Sequence, residues 1–244
     1  MSKQQEPMTF WGHVTELRTR LLVSALALIA GTAVCFLFVE PAAQFIMKPV
    51  DSVQFVFLSP PELFMSYVRL ALTGGLVISS PVVLLQLWLF VKPGLTKNER
   101  MSLVAGLLFG AVFFAAGAVF SFFVIIPFTL RFFLNYQNEA VKAMFSFSEY
   151  VSFIGSMVLS FGIAFELPVV LSLLARLGIV TGSGLAKIRG IAVLFIFIAA
   201  AIITPPDVVS QILLGVPMVL LFEVSILLAR IQERRRAKLH ETDM

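Results

Sequence analysis

The sequence predicts an all-α, polytopic membrane protein with six transmembrane helices and both termini in the cytoplasm. Three observations predict it. Of 244 residues, 59% are apolar or aromatic and only 13% are charged, about half the charge of an ordinary soluble domain. One small core cannot hide that much apolar surface, and the low charge excludes disorder. Second, the charged residues leave six runs with little or no charge, each near the roughly 17 to 25 residues that cross a bilayer. Third, the basic residues partition. With six spans, the side that carries both termini takes all of the 18 lysines and arginines except Lys48, Arg69, Arg131 and Lys142. The positive-inside rule makes that side cytoplasmic.

The elements follow in order. Over 9–20, Phe10, Val14, Leu17 and Leu21 recur at helical spacing beside Trp11, with His13, Glu16 and Arg20 at other positions. This reads as an amphipathic helix lying along the interface and leading into span one, 21–39. The charged approach, and Val39-Glu40-Pro41 at the far end, argue against a cleaved signal peptide. Segment 40–66 is an outer connection and 68–91 is span two. Span three, 101–130, belongs to a stretch from Asn98 to Leu134 that exceeds about 50 Å as one helix. It must tilt, kink at Pro127 or project beyond the bilayer. Segment 131–149, with 40–66, is expected to form a small ordered cap.

Span four, 150–175, is interrupted by Glu166. Span five, 188–203, measures only about 24 Å against a hydrocarbon core of about 30 Å. The turn Thr204-Pro205-Pro206-Asp207 then falls inside the membrane zone, so the bilayer thins there or the hairpin faces a wet cavity. Span six, 208–229, is clear except for Glu223. The tail Arg234-Arg235-Arg236 reads as a topology determinant or a contact with anionic lipid.

Helix starts support the count. Ser59–Glu62, Thr96–Glu99, Ser146–Glu149 and Thr204–Asp207 each pair a hydroxyl with an acid three residues on, as in a capping box. Prolines at 81, 127, 168 and 217 fall within or near the ends of the apolar runs. Each removes a backbone donor and bends its helix, which suits a curved wall better than a straight bundle.

Catalytic signatures are absent: no Walker A sequence, no HExxH, no GxSxG. No enzyme and no nucleotide, metal or haem cofactor is expected. Cys35 is a lone thiol in an apolar run, and both histidines lie outside the spans. The net charge of +4 follows from basic loops, so no nucleic-acid partner is expected.

The candidate residues are acids. Glu166 lies mid-span, where a charge costs about 2.5 to 3.5 kcal/mol on insertion scales. It is either a protonated or hydrogen-bonded helix contact, or a polar patch lining a wet cavity. Glu223 either pairs with a nearby base or is functional. Glu16 has a plain partner in Arg20 at i,i+4, and Glu99 a plain role in the Thr96 capping box. Together they can form an acidic site for a cationic ligand. Two arginines suit it, because guanidinium binds carboxylate in bidentate fashion.

Four motifs resemble one family. His13-Val-Thr-Glu16-Leu-Arg18-Thr-Arg20 is similar to the amino-terminal signature of TatC, the large subunit of the twin-arginine protein translocase. The stretch from Ser80-Pro81 through Gln86, Trp88, Phe90, Pro93, Gly94 and Leu95 to Glu99-Arg100 resembles a second motif. Phe161-Gly-Ile-Ala-Phe-Glu166-Leu-Pro168 and Thr204-Pro-Pro-Asp207-Val-Val-Ser-Gln211 resemble two more. One mild departure is Val14, where leucine is commoner.

The resemblance implies a receptor for twin-arginine signal peptides in the bacterial cytoplasmic (inner) membrane. It implies export of folded proteins driven by the proton-motive force, assembly with the single-span partners TatA and TatB, and homo-oligomers within a receptor complex. The implied fold is a six-helix concave wall. Acids matching Glu16 and Glu99 contact the signal arginines, and Arg18, Phe90, Pro93, Gly94 and Leu95 lie in matching cytoplasmic motifs. Glu166 matches a buried glutamate facing the concave side, and Asp207 and Gln211 match the outer ends of the short helices near a partner surface. The rival readings are a proton-coupled small-molecule carrier using Glu166 and a purely structural scaffold.

Overall fold

The computed structural model describes residues 10–50, 53–91, 97–135, 144–203 and 208–242; the side chains of 10, 13, 91, 97–105, 107 and 234–242 lie outside that description. The fold is all-α apart from one pair of three-residue strands. Helix α1 (Phe10–Leu37) runs unbroken from the amphipathic segment into the first apolar run. Helices α2 (Val39–Met47), α3 (Pro60–Val91), α4 (Lys97–Phe120) and α5 (Ile126–Leu134) follow. Then come α6 (Phe147–Phe165), α7 (Leu167–Leu177), α8 (Gly182–Lys187), α9 (Arg189–Ile203) and α10 (Val208–Thr242). Among the described residues, five helical stretches are long and apolar enough to cross a membrane, while Arg189–Ile203 is shorter. Large apolar side chains such as Leu26, Phe109, Phe195 and Leu220 stay exposed. A lipid-facing surface requires this, and a water-facing one forbids it.

Small residues set the main helix crossing. A Cβ on Gly31 of α1 would lie 3.0 Å from the Gly75 carbonyl oxygen, and one on Gly75 of α3 would lie 2.6 Å from the Thr32 nitrogen. Only glycine lets these backbones approach so closely.

Pro217, like Pro81, lies inside an unbroken helix, and Pro127 and Pro168 are handled differently. Pro81 leaves the Val77 carbonyl without its helical donor, and the Ser80 hydroxyl donates to that oxygen at 2.7 Å, so α3 continues unbroken. Before Pro127 the chain widens into a π-helical segment, Ser121–Ile125, which changes the bonding register where the proline cannot donate. Pro168 ends the helix outright: α6 stops at Phe165, Glu166 forms the joint, and α7 begins with the proline in its first turn. Helix α7 stops at Gly178, which adopts φ 77° and lets the Ile179 N–H reach back to the Leu174 carbonyl at 2.9 Å.

One end of the molecule carries a cap. Strand β1 (Gln54–Val56) pairs in parallel with β2 (Met144–Ser146), Phe55 opposite Phe145. Phe55 packs against Phe147 and Tyr150, and the Tyr150 hydroxyl donates to the Ile46 carbonyl. The caps are partly as expected. Ser146 accepts the Glu149 N–H at 3.3 Å. Glu62 departs from the simple box: its carboxylate accepts the Leu58 N–H at 2.8 Å and the Ser146 hydroxyl at 3.1 Å, tying α3 to the cap. The boxes at Thr96 and at Thr204–Asp207 lie outside the described residues.

At the opposite end, α7 to α10 share a second core around Ala175, Leu185, Phe222 and Ile226. Glu223 there is a pairing residue: the Arg189 Nη2 donates to its Oε2 at 2.8 Å.

Candidate functional site

Helix α3 contributes to two features: a charged corner with α1 near its C-terminal end, and an apolar groove that it lines from Leu76 to Trp88. In the corner, Arg20 Nη2 lies 3.2 Å from Glu16 Oε1, the pair anticipated from the i,i+4 spacing. Arg20 Nη1 also donates to Gln86 Oε1 at 3.2 Å. Gln86 comes from the last turns of α3 and is buried. The network is incomplete. Glu16 Oε2 and Arg20 Nε are buried and have no hydrogen-bond partner among the described residues. A carboxylate with one oxygen in use can accept a second guanidinium at the other.

The sequence reading did not single out Gln86. Its signal was an amide inside the uncharged run Leu70–Val91, where a polar side chain needs an internal partner. Arg18 is exposed on α1, and Phe90 is half-buried near the end of α3. Glu99 lies in the first turn of α4, with its side chain outside the description. Pro93, Gly94, Leu95 and Asp207 lie outside the described residues.

The groove is a cavity of about 560 Å³. Its walls are Leu76, Ser80, Leu84, Leu87 and Trp88 of α3, Phe114 of α4, and Leu159, Ile163 and Glu166 along the α6–α7 bend. Glu166 is buried and neither carboxyl oxygen has a hydrogen-bond partner among the described residues. A Cβ on Gly110 of α4 would lie 3.0 Å from Glu166 Oε2, so glycine there leaves room for the carboxyl group. Glu166 sits at the joint between the two helices, where its side chain lines the groove.

Gln211 does not join this group. Its Nε2 donates to the Phe197 carbonyl at 3.0 Å, clasping α10 to α9, and it does not line the groove. Among the described residues Gln211 and Glu166 therefore stand at separate places, and Asp207 lies outside the described residues.

Similarity to known proteins has the same outline. The family described as Sec-independent protein translocase protein (TatC) matches residues 12–217. The Sec-independent protein translocase protein TatC of Desulforapulum autotrophicum is 35% identical over 97% of this chain and 89% of its own length. The protein of the same name from Helicobacter pylori is 40% identical over 89% of this chain and 86% of its own. A crystal structure described as the twin arginine translocase receptor TatC superposes with a TM-score of 0.83 at 34% identity, covering 90% of this chain and 99% of that one. The chain belongs to the TatC family of Sec-independent protein translocases, a protein-transport family and not an enzyme family.

Proposed function

We propose that the chain is the signal-receiving large subunit of a twin-arginine translocase. One observation carries the reading: the charged corner and the apolar groove share the end of α3. Gln86 belongs to the corner, while Leu84, Leu87 and Trp88 line the groove. A ligand with guanidinium groups followed by an apolar segment meets these two surfaces in that order.

In this reading Glu16 and Glu99 hold the paired arginines. Arg18, Phe90, Pro93, Gly94 and Leu95 shape the surrounding cytoplasmic surface. The apolar segment then lies along the groove past Ile163 towards Glu166, which hydrates the middle of the wall. The short α9–α10 hairpin, with Asp207 and Gln211 near its turn, receives single-span subunits of the TatA and TatB type. The chain makes six crossings with both termini in the cytoplasm of a bacterium, and copies associate within the receptor complex. The proton-motive force drives export of folded cargo.

Export by cells that rely on this chain as their large subunit tests the reading. A folded reporter with a twin-arginine signal should reach the outer side, and the same reporter with twin lysines should not. Glu16→Gln should lower export about tenfold, the worth of one charge-assisted hydrogen bond. Equal export of both reporters, unaffected by Glu16→Gln, would refute signal recognition. Substrate-dependent proton flux in vesicles holding this protein alone would favour the carrier reading.

A further inference from the structure

At the capped end Arg69 and Glu149, like Glu40 and Arg131, have no ion-pair partner among the described residues. Arg69 of α3 donates from Nη1 to Ser152 Oγ at 2.9 Å and to Ser148 Oγ at 3.4 Å, both neutral hydroxyls. Glu149 of α6 has its N–H held by Ser146, and its carboxylate has neither a hydrogen-bond nor an ion-pair partner among the described residues. Both residues are exposed. Arg69 immediately precedes the uncharged run Leu70–Val91, and Glu149 immediately precedes Tyr150–Phe165. Charges at the edges of apolar runs lie at headgroup level, with their neighbours in hydrocarbon.

Ser148, Ser152 and Ser156 recur at i,i+4 along α6. Ser152 receives Arg69 and also lines, with Glu149 and Ser156, a cavity of about 510 Å³. Phe133, Phe153 and Ile203 supply apolar walls. Glu149 and hydroxyls thus line an apolar slot, and Arg69, which is not one of its walls, reaches it through Ser152.

We propose that this cavity holds the headgroup and first acyl carbons of an ethanolamine phospholipid from the leaflet on the capped side. The phosphate lies against the Arg69 guanidinium and the Ser148 and Ser152 hydroxyls. The primary ammonium donates to Glu149, and the acyl chain starts along Phe133, Phe153 and Ile203. The chemistry selects this class. Guanidinium matches phosphate in bidentate fashion. A glycerol headgroup brings no cation to Glu149, and a choline headgroup brings one without an N–H to donate. Inorganic phosphate satisfies Arg69 alone. Glu149 also favours the positive end of α6, a role that needs no lipid. The proposal is independent of signal recognition at the other end of the molecule.

Native mass spectrometry tests it on the full chain, purified in detergent and loaded with equal amounts of phosphatidylethanolamine, phosphatidylcholine and phosphatidylglycerol. The wild type should retain the ethanolamine lipid in preference to both others. Arg69→Gln and Glu149→Gln should each lower its retention about tenfold, the loss of one charge-assisted hydrogen bond. Excess inorganic phosphate should not displace it. Equal retention of the three lipids, retention unchanged in both variants, or displacement by phosphate would each overturn the proposal. If the variants fail to fold, melting of the wild type in the three lipids decides. A higher midpoint with the ethanolamine lipid supports the site, and equal midpoints overturn it.

Discussion

Ile163→Asp is expected to weaken binding of a twin-arginine signal peptide by about two orders of magnitude, measured by anisotropy of a labelled peptide. Ile163 is 65% exposed and lines the groove one turn before Glu166. In the proposed complex it touches the peptide's apolar segment. A carboxylate at membrane depth costs about 2.5 to 3.5 kcal/mol on insertion scales, and each 1.4 kcal/mol or so is tenfold in affinity. The exposed position keeps the change out of the packed core, so the helices should still assemble. Ile163→Leu preserves the apolar wall and should bind as the wild type does. Unchanged affinity in Ile163→Asp would place the apolar segment somewhere other than this groove.

Glu166→Leu is expected to raise thermal stability and to lower export. The carboxyl oxygens of Glu166 are buried without a hydrogen-bond partner among the described residues, and such a group costs about 1 to 3 kcal/mol. Leucine has similar bulk and removes that cost. In a chain of this length each kcal/mol shifts the midpoint by about 2 to 4 °C, so a rise of several degrees is expected by scanning calorimetry or fluorescence. A stability gain coupled to lost export marks a polar group kept for function against the interest of the fold. A lower midpoint in Glu166→Leu would show that the carboxyl group has a stabilising partner.

How much of this was legible depends on the range of the interaction. The Glu16–Arg20 pair and the Ser146 cap are local, set by spacings of four and three residues, and the sequence showed both. Gln86 was not legible as the partner of Arg20, because their contact is made only when α1 lies along α3. Glu62 looked like an ordinary capping acid, yet its carboxylate bridges Leu58 and Ser146, two segments that only the folded cap brings together. The β1–β2 pair also escaped notice. Three-residue strands are too short to show alternation, and parallel strands pair across a long connection.

The prolines marked bends without revealing their form. Pro81 is absorbed because Ser80 happens to precede it. Pro127 follows a π-helical segment, and Pro168 breaks the helix so that Glu166 lines the groove. The alternatives for Glu223 narrowed to a surface ion pair with Arg189, a choice that required the α9–α10 geometry. Gln211 was singled out, with Asp207, only through the family resemblance, at the outer end of the short helices. Its amide is engaged with the Phe197 carbonyl, a contact between α9 and α10 that no local spacing shows.

The most direct test of the account compares binding of a twin-arginine signal peptide and its twin-lysine counterpart to the purified protein, in wild type and in Glu99→Gln. Glutamine still serves a capping box, so the substitution removes charge while sparing the start of α4. The account predicts that wild type prefers arginine, because only guanidinium binds a carboxylate in planar bidentate fashion. It also predicts that Glu99→Gln loses most of that preference while melting like wild type. Equal binding of both peptides to wild type, with no effect of Glu99→Gln, would contradict it and leave Glu99 as a helix cap only.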